Sequence, residues 1–103
     1  MDKEQVVEKV KRYAEAVRQN FPVRKIILYG SYAKKLAKEG SDIDVAVVMR
    51  RFEGDRLLFR AKLFKLRSDI DLMIEPVFLE EKNDPSGFLA DILRTGEIIS
   101  SAG

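Results

Sequence analysis

Two short, nearly continuous apolar runs constrain the fold of this chain more than any other feature. The first occupies residues 23–29, with consecutive apolar residues from Ile26 to Leu28, and ends at Gly30. The second occupies residues 42–49. Strands that are apolar at successive positions are usually buried on both faces, inside a sheet that helices cover on both sides. The runs therefore predict a central sheet in a layered fold of helices and strands.

Helical periodicity and turn residues place the other elements around that sheet. The predicted helices cover residues 2–20, 31–39, 55–67 and 84–96. A third strand is predicted over residues 70–79, where Pro76 indicates an edge or a bulge, and Ile98 and Ile99 indicate a short terminal strand. The 103 residues are thus expected to form a single domain, 1–103. Its fold class is mixed α/β (α+β), with a small mixed sheet of three to five strands and about four helices.

The residue types that are absent restrict the possible chemistry. The chain contains no Cys and no His, so disulfides, thiolate catalysis and cysteine-bound zinc are excluded. Any metal must then be held by oxygen ligands, which suits Mg²⁺ or Mn²⁺. The net charge of +2 is too small to indicate nucleic-acid binding. We find neither an apolar stretch of membrane-spanning length nor a signal peptide, so we expect a cytoplasmic location and no membrane partner.

Gly30 and Ser31 lie where the first buried strand gives way to a predicted helix. Glycine allows a ligand to approach the backbone closely, and the first amides of a helix have no partner within it. Together these features favour a phosphate-binding turn. A turn glycine followed by a capping serine is the simpler interpretation when the pair is considered alone.

Asp42 and Asp44 begin the second strand, ten residues after the Gly-Ser pair. Residues two apart on a strand point to the same face, about 7 Å from each other. Two carboxylates placed in this way repel each other unless a cation lies between them. A site with two metal ions about 4 Å apart fits between such carboxylates. A pair of solvated acids at the start of a strand is the alternative.

Asp71 is the preferred third carboxylate. It lies in the apolar run of the predicted third strand, where an unpaired charge is costly. If the second and third strands are neighbours, Asp71 approaches Asp42 and Asp44. Asp69 points to the same face of that strand and remains a competing candidate. A purely structural ion pair between Asp71 and an arginine such as Arg67 is the alternative.

Residues 28–48 include Leu-Tyr-Gly-Ser-Tyr-Ala and Gly-Ser-Asp-Ile-Asp-Val-Ala-Val-Val. This sequence resembles the signature of the DNA polymerase β-like nucleotidyltransferase superfamily, and the short chain resembles its minimal nucleotidyltransferase (MNT) branch. The resemblance implies the polymerase β-like fold. It further implies that Gly30 and Ser31 hold the triphosphate, and that Asp42, Asp44 and Asp71 bind metal and are catalytic. The chain departs from the family at Lys35, where a glycine is frequent.

The resemblance also implies a reaction and a partner. We expect a Mg²⁺-dependent nucleotidyltransferase that uses two Mg²⁺ ions, or Mn²⁺, and transfers AMP from ATP to a hydroxyl acceptor. Minimal members typically act beside an all-helical HEPN protein in a toxin–antitoxin pair. This chain would then be the antitoxin and would add AMP to a tyrosine of the toxin. We expect the partner face around the third strand and last helix, at Phe78, Phe88 and Leu89.

Two alternative functions remain open from the sequence. The first is an inactive module of the same fold that neutralises a toxin by contact alone. The second is a transferase that acts on a small molecule or on nucleic acid. Nucleic acid is the less favoured acceptor, because the basic residues of the helix at 55–67 are typical of a solvated helix face.

Overall fold

The computed structural model describes residues 1–102 and contains three helices and four strands within them. In chain order the elements are α1 (Lys3–Asn20), β1 (Lys25–Tyr29), β2 (Ile43–Met49), α2 (Arg56–Leu66), β3 (Ile74–Glu80), α3 (Phe88–Thr95) and β4 (Glu97–Ser101). The mixed α/β class is confirmed, with three helices in the described residues where about four were expected. No helix within residues 1–102 combines the length and the apolar character needed to cross a bilayer.

The four strands form one sheet in the order β3-β2-β1-β4. β1 pairs antiparallel with both β2 and β4, whereas β2 and β3 run parallel. The two apolar runs are therefore the central strands, as predicted. β3 is an edge strand, which explains how it accommodates Pro76, a residue without an amide hydrogen.

Apolar side chains cover both faces of the sheet. On one face, Val45 and Val47 of β2 pack in the larger core with α1 and α2. On the other face, Ala46 and Val48 pack with α3 in a smaller core. Because side chains alternate along a strand, this assignment fixes which face each polar residue of β2 and β3 occupies.

Helix α1 is capped at its N-terminus and is buried along one face. Asp2 caps it in a reciprocal capping box with Gln5. Its buried face carries Tyr13, whose hydroxyl donates to the carbonyl of Leu63 on α2 at 2.8 Å. That hydrogen bond joins the two helices that cover the larger core.

Three predicted elements differ from the structure. Residues 31–39 form no α-helix: a hydrogen-bonded turn ends at residue 35, because the backbone turns left-handed at Lys35, and a second turn begins at residue 39. The third strand begins at Ile74, four residues later than predicted, because the chain first makes a turn. The last helix begins at Phe88 and not at 84, although the carboxylate of Asp84 accepts hydrogen bonds from the amides of the first helical turn.

Candidate active site

Gly30 directly follows β1, in a conformation that favours glycine and in close contact with a side chain of the next strand. Its φ is +73°, in the left-handed region that favours glycine. A Cβ atom at this position would also overlap the carboxylate of Asp44, on the neighbouring strand. The glycine that the sequence singled out is therefore the point where the backbone passes directly against an acidic side chain.

The turn after Gly30 closes like the end of a helix. The amide of Leu36 donates to the carbonyl of Ser31 at 2.8 Å, and the amide of Lys35 donates to the carbonyl of Tyr32 at 3.4 Å. These two bonds are the Schellman pattern, which requires a left-handed residue at its penultimate position. Lys35, with a φ of +59°, is that residue. The backbone thus keeps the geometry that a glycine would suit, at the position where the family frequently has one.

This turn also leaves amide groups free. Within residues 1–102 the amides of Ser31, Tyr32 and Ala33 donate to no backbone carbonyl, since the first bond of the turn runs from Lys34 to the carbonyl of Gly30. Successive free amides at the start of a helical turn bind anions. The predicted phosphate-binding segment therefore has suitable donors, although the turn is shorter than a helix.

Asp42 and Asp44 lie where β2 begins, beside the end of β1. Asp42 directly precedes the strand, and Asp44 is the residue opposite Tyr29 in the antiparallel register. Asp44 shares the α3 face of the sheet with Ala46. Burial raises its pKa above the ordinary value, and the negative charges of Asp42 and Glu75 raise that pKa further. The site concentrates negative charge where the ionised carboxylates destabilise one another.

Glu75 is the acidic residue that the sequence analysis missed. It is the second residue of β3, and it lies directly opposite Asp44 in the parallel register between β2 and β3. It therefore points to the same face of the sheet as Asp44. One signal in the sequence indicated it, because Glu75 is the only charged residue in the apolar run from Leu72 to Leu79.

Asp71, the predicted third carboxylate, is not brought to Asp42 and Asp44. It precedes β3 in a turn, and its side chain is only 13% exposed. One of its oxygens accepts from Lys9 of α1 at 2.6 Å, and the other accepts from the amide of Met73 at 2.7 Å. The hydrogen bond from Lys9 is the main reason that its pKa lies below the ordinary value.

Asp71 therefore faces the α1 side of the sheet, opposite to Asp44, and both of its oxygens are engaged. The prediction placed it on a strand, whereas the structure gives it the role of an ion-paired turn residue. Its predicted partner Arg67 pairs instead with Glu75, at 3.3 Å. Asp69, the competing candidate, borders a groove of about 710 Å³ between α1 and α2. Neither carboxylate is among the charges that act on Asp44, which are those of Asp42 and Glu75.

Tyr29 completes the site on the α3 side. Its ring meets that of Phe88 edge to face, with 5.8 Å between the centroids. Burial raises the pKa of the phenol to about 12, and the charges of Asp44 and Glu75 act in the same direction. The hydroxyl therefore stays protonated at neutral pH and adds no further negative charge.

The donor set suits a divalent cation that is shared with a substrate. Carboxylate oxygens are ligands that Mg²⁺ and Mn²⁺ prefer, and Asp44 gains no compensating hydrogen bond or ion pair within residues 1–102. No group of three or more acidic side chains in that range encloses a metal ion by itself. Mg²⁺ is usually held by one or two carboxylates together with substrate phosphates and waters. Asp42 and Asp44 fit that mode, and Glu75 lies beside Asp44 as a further carboxylate.

The glycine turn and the paired aspartates both lie within the part of the chain that a family model matches. Residues 10–86 match the model of the nucleotidyltransferase domain family, which is well over half of the chain. The chain therefore belongs to that family. No curated protein matches the sequence.

Solved structures show the same fold. A protein of Sulfolobus solfataricus, provisionally described as a nucleotidyltransferase, has a TM-score of 0.71 at 18% identity. The alignment covers 96% of this chain and 83% of that one. A complex of a tri-AMPylated HEPN toxin with an MNT antitoxin from Shewanella oneidensis gives 0.62 at 20% identity, with 97% of this chain and 73% of the other covered. At these identities the likeness establishes the fold.

Proposed function

We propose that the chain is a Mg²⁺-dependent nucleotidyltransferase that transfers a nucleotidyl group from a nucleoside triphosphate to a hydroxyl acceptor. One observation carries the proposal: Asp44, crowded by Asp42 and Glu75, lies against the backbone of Gly30, where the turn with free amides begins. Anion donors and cation ligands are thus adjacent at one edge of the sheet. A triphosphate with its metal ion supplies the complement to both.

The residues of the chain have distinct roles in this proposal. The free amides that follow Gly30 hold the phosphate oxygens and set the orientation of the triphosphate. Asp42 and Asp44 hold the divalent cation, and Glu75 adds the third carboxylate. When bound, Mg²⁺ supplies charge neutralisation and lowers the pKa of the acceptor hydroxyl.

The reaction itself is an in-line displacement at the α-phosphorus. The acceptor oxygen forms the new bond, the bond to the β-phosphate oxygen breaks, and pyrophosphate leaves. A carboxylate of the site accepts the hydroxyl proton, since the chain has no histidine to do so. Positioning and charge neutralisation account for the catalysis, as in phosphoryl transfer generally.

The finer proposal names ATP as the donor and a tyrosine of a HEPN-type helical partner as the acceptor. The Shewanella oneidensis complex supports it, because a protein of this fold occurs there beside an AMPylated HEPN toxin. The exposed apolar side chains of α3 and β4 support a protein partner on that side. They are Phe88 (40% exposed), Leu93 (42%) and Ile98 (48%).

Only part of the predicted partner face is exposed. Phe88 is exposed as expected, whereas Leu89 is 4% exposed and Phe78 packs against the larger core. Phe88 also contacts Tyr29 at the edge of the acidic cluster. A partner docked on α3 would therefore present its side chains next to the proposed site of transfer.

The direct test uses ATP labelled at the α-phosphate, Mg²⁺ and a candidate HEPN-type helical protein as the acceptor. We expect label on the partner with the wild type and none with Asp44→Asn. Asp69→Asn is the matched control, because it removes the same charge outside the acidic cluster, and it should transfer normally. CTP, GTP and UTP in the same assay identify the base.

Calorimetry distinguishes the proposed enzyme from the alternative function, an inactive module of the same fold. An active enzyme binds Mg²⁺-ATP measurably, and Asp44→Asn weakens that binding. A chain that binds its partner but neither ATP nor Mg²⁺ would contradict the proposed function.

A further inference from the structure

Arg67 is the one basic side chain that contacts the acidic cluster within the described residues. It follows the last residue of α2, and its Nη1 donates to the carbonyl of Leu72 at 2.9 Å and to that of Ile74 at 2.7 Å. The same nitrogen lies 3.3 Å from Oε1 of Glu75. The side chain is 21% exposed, so the guanidinium is fixed against the start of β3.

Glu75 lies between a carboxylate that repels it and a guanidinium that attracts it. It faces Asp44 across the parallel register and contributes to the raised pKa of that carboxyl, and it holds Arg67 through Oε1. Its side chain is 44% exposed and accepts no other hydrogen bond within residues 1–102. Arg67 is therefore the basic group in the described residues that offsets the repulsion between Glu75 and Asp44.

We infer that Arg67 is a positioning residue that competes with the divalent cation for Glu75. This inference rests on the proposed function, since it takes Glu75 as the third carboxylate. In the metal-free chain the guanidinium neutralises Glu75 and limits its repulsion with Asp44. Cation binding draws Glu75 towards the aspartates and weakens the pair with Arg67. The strength of metal binding is thus set partly by a residue that never touches the metal.

The sign of the effect follows from charge. A guanidinium beside a ligand carboxylate lowers the affinity of that carboxylate for a cation, so removing the guanidinium should tighten metal binding. A partly exposed ion pair accounts for a change of about 2- to 5-fold. A purely structural Arg67, acting through the carbonyls of Leu72 and Ile74, would change the melting temperature and leave the metal affinity unaltered.

The experiment measures Mn²⁺ binding to the intact chain by electron paramagnetic resonance at 0.15 M salt, which needs no catalytic turnover. Arg67→Gln removes the charge and keeps amide donors for the two carbonyls, and we expect it to bind Mn²⁺ about 2- to 5-fold more tightly. Arg67→Lys keeps the charge and should bind like the wild type. Lys65→Met is the matched control for a distant charge on the same helix, and it should change the affinity less than Arg67→Gln does.

A double-mutant cycle tests whether the effect passes through Glu75. In a Glu75→Gln background, Arg67→Gln should no longer tighten Mn²⁺ binding beyond the Lys65→Met control. Equal or weaker binding by Arg67→Gln, or an effect that persists without Glu75, would overturn the inference. If Arg67→Gln does not fold, Arg67→Met is measured in the same cycle with the same criteria.

Mn²⁺ binding by the wild type shows whether a negative result refutes the proposed function or only the competition by Arg67. If the wild type binds no Mn²⁺, with or without ATP, the metal site of the proposed function is refuted. The competition between Arg67 and the cation is then refuted as well. If the wild type binds Mn²⁺ and Arg67→Gln binds it equally, only the competition is refuted.

Discussion

Replacing Lys35 with glycine should stabilise the protein, because Lys35 is the only non-glycine residue within positions 1–102 with a positive φ. It occupies the left-handed position of the turn that follows Gly30, and the two hydrogen bonds of that turn hold it there. A glycine adopts the same φ of +59° without a steric cost from Cβ. The substitution changes the strain of the turn and leaves its hydrogen bonds in place.

The expected gain is the difference between two opposing contributions. An L-residue in the left-handed region costs about 1–2 kcal/mol. Glycine gives back about 0.5–1 kcal/mol, since its unfolded state is more flexible. The net stabilisation of Lys35→Gly is therefore about 0.5–1 kcal/mol, which raises the melting temperature of a domain of this size by about 2–8 °C.

Thermal unfolding followed by circular dichroism measures this gain, with two control variants. Lys34→Gly removes the same charge at the neighbouring position, which has no positive φ, and should lose about 0.5–1 kcal/mol. Lys35→Ala removes the charge without relieving the backbone, so it should not stabilise. If Lys35→Ala raises the melting temperature as much as Lys35→Gly, charge and not strain is responsible, and the reasoning fails. The Michaelis constant for ATP of Lys35→Ala also tests whether the ammonium group contacts phosphate.

Two further substitutions test which acidic residues act together, one inside the acidic cluster and one outside it. Asp44→Asn should stabilise the metal-free protein at pH 7 by about 0.2–1 kcal/mol, because it removes a like charge opposite Glu75. The pKa of Asp44 is raised by folding, so protonation favours the folded state at acid pH and this contribution is lost as pH rises through that pKa. The advantage of Asp44→Asn should therefore vanish in melts at acid pH, and an advantage that is equal at both pH values would contradict the charge argument. Asp71→Asn should lose about 1–2 kcal/mol in urea unfolding because its charged bond with Lys9 is weakened. The pKa of Asp71 is lowered, so its contribution is present above the unfolded value and lost as pH falls through the folded one. Its Mn²⁺ affinity should stay that of the wild type, and a loss of Mn²⁺ binding would return Asp71 to the site.

The sheet could be predicted from sequence because its signals are local and strong. The apolar runs of β1 and β2 identify central strands, and Pro76 identifies β3 as an edge. Gly30 and the pair Asp42 and Asp44 could likewise be selected, since each lies within a few residues of a strand end. Periodicity did not reveal the left-handed conformation of Lys35 at the end of the turn, because a lysine in the sequence does not indicate that conformation.

The sequence pointed to Asp71 and not to Glu75 because strand register is not a local property. The segment Ser68-Asp69-Ile70-Asp71 repeats the Ser-Asp-Ile-Asp motif of residues 41–44, which made Asp71 the natural choice. The apolar neighbours of Asp71 resembled those of a strand residue, yet its own side chain caps the amide of Met73 and so holds the chain in a turn. Only the start of β3 at Ile74 determines that Glu75 is the residue beside Asp44.

The topology explains why so small a chain can assemble these groups. β1 runs antiparallel to β2, and β2 runs parallel to β3, so the end of β1 and the starts of both β2 and β3 meet at one edge of the sheet. Free amides follow the first of these strand ends, and carboxylates lie at the other two. Because β3 is the outer strand, its Glu75 faces Asp44 on one side and remains within reach of Arg67 on the other. A central position for β3 would remove that access, so the regulation of metal affinity that we infer depends on the edge position of the third acidic strand.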